Sequence, residues 1–90
     1  MARMGMDVDL VETASRELKQ RASDINSLVG QIEGTVHHLL SIWDGPDAKT
    51  FVEQWWPDHK KQLLTASSTI EGLGQSAWNN AQEQRNVSGH

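Results

Sequence analysis

Residues 11–43 read "VETASRELKQRASDINSLVGQIEGTVHHLLSIW", and the period of the apolar residues in this stretch decides the fold. Val11, Leu18, Ile25, Ile32 and Leu39 recur every seven residues. Ser15, Ala22, Val29, Val36 and Trp43 each follow four positions later. Alternating steps of four and three keep both sets on one side of an α-helix, which predicts one long helix packed along its length. Leu10, Ala14, Leu28 and Leu40 widen the stripe. At its start, Asp9 and Glu12 have the spacing of a capping box, with Asp7 as the alternative cap. Glu12–Arg16 and Glu17–Arg21 are i,i+4 pairs in the favourable order and mark solvated flanks. Gly30 and Gly34 fall away from the seam and cost about 1 kcal/mol each relative to alanine.

Working outward, the residues after Gly45 carry a second seam: Val52, Trp56, His59, Leu63, Ala66, Ile70, Leu73 and Ala77. Ala48, Phe51 and Trp55 broaden it near its start. Pro57 lies inside the pattern. A proline removes one backbone donor and crowds the preceding turn, so a kink is expected near Glu53–Trp56. The seam keeps its register across the proline, which favours one bent helix over two. Gly72 and Gly74 weaken the last third.

Between the seams stands "WDGPD", residues 43–47. Gly45 supplies backbone freedom, Pro46 suits a first helical turn, and Asp44 or Asp47 can accept the orphan amides there. A connection this short makes the helices antiparallel neighbours. Each helix is expected to span about 35 residues, or roughly 50 Å. The expected organisation is a flexible N-terminus over 1–6, a helical hairpin over 7–81 with its turn at about 43–46, and a flexible polar tail over 82–90. The apolar stripes are wider than one neighbour can cover, so the fold class is an all-α, antiparallel two-helix hairpin that dimerises into a four-helix bundle.

Composition excludes several functions. Ninety residues make one domain at most, and one this small gains from a partner subunit. Cysteine is absent, which removes disulfides and thiolate metal sites. The net charge is −4 and no basic stripe is present, so nucleic acid is not an expected partner. The first residues, with Arg3 but also Asp7 and Asp9, hold no apolar run of signal-peptide length, and no stretch approaches membrane-spanning length. Stable membrane insertion is therefore not expected. No nucleophile is paired with a base and no phosphate-binding loop occurs, so the chain reads as non-enzymatic.

The four histidines do not read as a metal site. His37 and His38 are adjacent and point about 100° apart on a helix. Glu33 and His37 lack the Glu-x-x-His spacing of dimetal bundles, His59 sits in the second seam, and His90 lies in the tail. Neither metal nor cofactor is expected. Asn86-Val87-Ser88 matches a glycosylation acceptor, a pattern too short to weigh.

Four tryptophans are the more informative feature. Trp43, Phe51, Trp55 and Trp56 cluster around the turn, and Trp78 stands near the far end of the second helix. Trp43 and Trp56 are expected to fill the bundle end. Trp55, offset from the seam, is the candidate for an exposed recognition patch, since exposed tryptophan concentrates binding energy.

These residues carry a resemblance. Trp43, Gly45, Pro46, Asp47, Ala48, Phe51 and Trp55, with "NAQEQ" at 80–84, resemble the extended pattern of the WXG family of small type VII secretion substrates. These are the early secreted antigenic target-like, or Esx, proteins of actinobacterial type, and the likeness covers residues 7–85. It implies a hairpin that pairs with itself or with a homologous small protein and is secreted folded, without a signal peptide, by a complex driven by a multidomain ATPase. Surface retention is a variant of that location. It also implies that Trp43 and Gly45, with Phe51 and Trp55 beside them, form the turn half of a bipartite export signal. The family's other half is Tyr, three residues, then Asp or Glu, and this chain has no tyrosine. Trp78 and Glu83 occupy the corresponding place one residue too far apart. Either a partner supplies that half or Trp78 and Glu83 suffice. The alternative function, resting on the seams alone, is a cytoplasmic oligomerisation or adaptor hairpin with no export role.

Overall fold

A computed structural model describes residues 6–88; the expected flexible segment at 1–6 and His90 lie largely or wholly outside them. The described residues are helical apart from the short turn and the residues ahead of the first helix. Helix α1 is Val8–Ile42, α2 is Pro46–Thr50, a π-helical turn occupies Phe51–Trp55, and α3 is Trp56–Ser88. The chain divides into a terminal unit, Met1–Ala22 with Ser68–His90, and a central unit, Ser23–Ser67.

Helix α1 starts on Asp7. Its carboxylate accepts the Leu10 N–H at 3.1 Å and its carbonyl accepts the Val11 N–H at 2.9 Å, the bonds of an N-cap. Asp9 is not the cap. At the other end the Trp43 N–H still reaches the Leu39 carbonyl at 2.8 Å.

The central unit is a helical hairpin. Its turn depends on Gly45, whose φ of 118° and ψ of 168° lie in a region that L side chains rarely adopt. Pro46 opens α2 as expected, but no side chain caps it, so neither Asp44 nor Asp47 takes the expected role. Val29 and Val36 of α1 pack with Val52 and Trp56, and Ile25, Ile32, Leu39 and Phe51 lie half-buried around them. Ala48 and Ser67 are also buried.

A π turn precedes Pro57. The Trp56 N–H donates to the Phe51 carbonyl, five residues back, and Trp56 itself stays helical at φ −63°, ψ −47°. Proline cannot donate, and its ring crowds the carbonyl four residues earlier. Widening the preceding turn by one residue relieves that crowding without ending the helix.

The terminal unit is built from small residues. Among its described residues, Ser15, Ala22, Gly74 and Ala81 are the buried positions. A Cβ placed on Gly74 would stand 2.9 Å from the Ser15 carbonyl oxygen and 3.2 Å from Leu18 Cβ and Lys19 Cγ. Gly74 therefore permits a close approach of α3 to α1, where its sequence position alone signals a weak point. The buried Ser15 hydroxyl donates to the Glu12 carbonyl at 2.7 Å, so its burial leaves no unmet polar group. Val11, Leu18 and Ile70 are half-buried in the same unit.

Two expectations for α3 are corrected. Its inward positions are Trp56, Ser67, Gly74 and Ala81, while Leu63, Ala66 and Leu73, read as seam positions of the core or of a dimer contact, are exposed in the single chain and so are not its core. Beyond Trp56 the inward side chains are small, and at Gly74 the larger Leu73 one position earlier takes its place in the pattern. The second correction is at the end: α3 continues through Ser88, past the expected boundary at Ala81.

Candidate interaction surface

Around the turn the aromatics form a ladder. Phe51, Trp55 and His59 are spaced by four on the helix that follows Gly45. The Phe51 and Trp55 rings stack at 4.7 Å between centroids, and Trp55 and His59 at 3.9 Å. Trp43 meets Phe51 from the end of α1, tilted by 53° at 6.0 Å. The His59 Nδ1 lies 2.8 Å from the Trp55 carbonyl, which fixes its ring against the indole. Trp43 is 40% exposed and Trp55 47%, so both present ring surface to solvent. Trp43 is thus not core, whereas Trp56 is buried as expected.

Alongside the ladder the central unit leaves Leu28 and Leu63 uncovered, with Ile32 and Leu39 half-covered. On α1, Leu28, Ile32 and Leu39 step by four and seven, placing them on one flank of the Val29–Val36 line. In the terminal unit Leu10 and Leu73 are exposed. Leu73 is 59% exposed although the heptad pattern marks it as a packing position. Single exposed leucines are ordinary; in each unit the exposed ones include positions that the apolar period selects.

The predicted C-terminal residues have different surroundings. The Arg16 guanidinium lies 5.7 Å from the centroid of the Trp78 ring, which is half-buried beneath it. Glu83 is exposed. Beside it Arg85, absent from the sequence reading, donates from Nη2 to Asp9 at 2.8 Å and to Glu12 at 2.9 Å, and Gln82 also donates to Glu12. The Glu12 carboxyl is held below its ordinary value of 4.5, chiefly by the Arg85 hydrogen bond. A lowered carboxylate pKa stabilises the fold above the ordinary value, and that contribution is lost as pH falls through the folded value. Arg85→Ala should therefore lower the melting temperature at neutral pH, and the gap from wild type should close as the solution is acidified below about 4.5. Thermal melts of both proteins across that range check it; a gap independent of pH would contradict it.

On the other flank of the central unit lies an open groove of about 650 Å³, lined by Glu33, Leu40, Trp56, Pro57, Lys60 and Leu64 among others. Lys60 bonds Glu33 at 2.6 Å, and this bond is the main cause that holds the Glu33 carboxyl below the usual range. The Trp56 indole N–H is buried without a hydrogen bond of good geometry, although Glu33 is near enough that the indole also favours its ionised form. Burying such a donor unsatisfied costs about 1–3 kcal/mol.

Among the described residues no group of three or more His, Asp or Glu side chains could hold a metal ion, and Glu33, His37 and His59 do not form one. No helix among them is long and apolar enough to cross a membrane. Fold and surface together define an all-helical hairpin with an exposed aromatic turn. Compared with protein-family models, with curated proteins and with solved structures, the chain finds no significant match.

Proposed function

We propose that this chain is a non-enzymatic WXG-type protein, exported by or co-exported through a type VII secretion system as a dimer. The hairpin pairs with itself or with a homologous small protein to form a four-helix bundle, and it meets the secretion ATPase through the turn. The observation that carries this reading is the ladder Trp43–Phe51–Trp55–His59, displayed at a glycine-dependent turn of a hairpin whose seam residues Leu63 and Leu73 remain uncovered. A turn needs Gly45 but not Trp43, so the exposed ring is available for recognition.

Trp43→Ala tests the export half. The substitution should abolish secretion while helix content and pairing stay near wild type, because Trp43 lies outside the buried core. Gly45→Ala is a poorer probe, since its backbone conformation alone costs an L residue about 1–3 kcal/mol. Secretion of Trp43→Ala at the wild-type level would sink the signal reading. One observation favours the alternative of a cytoplasmic adaptor: Trp78 is engaged by Arg16 rather than presented. Retention of the chain in cells with an intact secretion ATPase supports that alternative. Export that depends on a co-expressed homologue supports a partner-supplied C-terminal half.

A further inference from the structure

We propose that Arg85 is a latch that keeps the Trp78 ring covered. Clasped, it occupies Glu12 and leaves Arg16 over Trp78; released, it frees Glu12 to take Arg16, and the ring is bared. All four residues belong to the terminal unit. Only the use of a bared Trp78 rests on the export reading; the latch itself stands on the geometry.

Glu12 has two arginines within reach and holds the one distant in sequence. Arg16 follows it by one helical turn, in the i,i+4 order that favours an ion pair. Yet the Arg16 guanidinium lies 5.7 Å from the Trp78 ring centroid. Arg85 instead bonds Glu12, at 2.9 Å from Nη2 and 3.2 Å from Nε, and Gln82 donates to the same carboxylate. Glu12 is thereby satisfied without Arg16.

Two features let the balance tip. A cation about 6 Å from a ring centroid is at the outer limit of a cation–π contact, and Arg16 sits near that limit. The Glu12 side chain is only 14% exposed, so losing Arg85 leaves a largely desolvated carboxylate without its cation. Arg16 is the next cation along α1 and stands one turn away. The clasp is also accessible: the Arg85 side chain is 48% exposed, and none of the described side chains of α3 beyond Ala81 is buried. By linkage, a partner that binds the bared ring also favours release of Arg85.

The test measures broadening of the Trp78 ring resonances in the full chain by the soluble nitroxide hydroxy-TEMPO. Trp78→Phe assigns the resonances and Arg16→Gln defines the uncovered ring. Arg85→Gln should raise the broadening at Trp78 by about twofold or more, toward the Arg16→Gln level, while buried Trp56 stays protected. Adding Glu12→Gln to Arg85→Gln removes the carboxylate that draws Arg16 away, and should return Trp78 to its wild-type protection. A ring no more exposed in Arg85→Gln or in Arg16→Gln than in wild type overturns the latch. Equal exposure in the single and double variants also overturns it, since the helix end would then merely loosen. Exposure of Trp56 together with Trp78 overturns it too, as opening of the whole fold. Secretion enters none of these readings, so failure of the latch is distinct from failure of the export reading.

Discussion

Gly74→Leu should unfold the terminal unit or lower its melting temperature by roughly 10–20 °C, the largest effect expected of any single substitution here. The cause is steric. A Cβ at this position already stands 2.9 Å from the Ser15 carbonyl oxygen, a backbone atom that cannot swing aside. Relief requires the local helix segments to separate, which loosens the packing of the unit's buried residues Ser15, Ala22 and Ala81. Overpacking of this kind costs about 1–3 kcal/mol or more, a large share of the stability of so small a domain. Gly74→Ala should cost less, because it adds the Cβ alone while regaining about 1 kcal/mol of helix propensity. Gly72→Leu is the control, since nothing lies within 4 Å of a Cβ there. Gly74→Leu melting with the Gly72→Leu control would contradict the close-approach account.

The second large effect is expected at the seam residues that the single chain leaves bare. Leu63→Asp with Leu73→Asp should weaken self-pairing, or pairing with a homologue, by at least about 100-fold. Neither leucine is in the buried core, so helix content at low concentration should hardly change. If pairing stabilises the fold, wild-type melting rises with protein concentration and that of the double variant does not. Sedimentation velocity across a concentration series separates the two. Unchanged association of the double variant would show that the stripe is not the contact.

The sequence made α1 legible because its buried residues are also its periodic ones: Val29 and Val36 are core in both pattern and structure. Helix α3 was half legible. Val52 and Trp56 were readable for the same reason, but beyond Pro57 the inward line runs through Ser67, Gly74 and Ala81. Hydrophobic periodicity registers large side chains, so it selects Leu63 and Leu73, which the single chain leaves exposed. The close approach at Gly74 has no signature in composition, since an isolated helical glycine reads as a weakness. Proline chemistry foretold a disturbance before Pro57 but not the π turn that absorbs it. The helical end through Ser88 was missed because an ion pair between Arg85 and Asp9 with Glu12 joins residues far apart in sequence.

The candidate surface divides in the same way. The crowding of Trp43, Phe51 and Trp55 was visible from their spacing, and so was the need for Gly45. His59's place in the ladder was obscured by its position in an apolar seam, where it reads as an imperfect core residue. The groove was invisible, because its lining residues from α1 and α3 come together only in space.

The central claim is that this hairpin pairs through its uncovered stripe. The most direct measurement is the solution mass by equilibrium sedimentation at tens of micromolar, for the chain alone and mixed with the product of the adjacent gene. The account predicts twice the monomer's 10.1 kDa for the chain alone, or a one-to-one complex in the mixture. A mass of 10.1 kDa in both samples would contradict it.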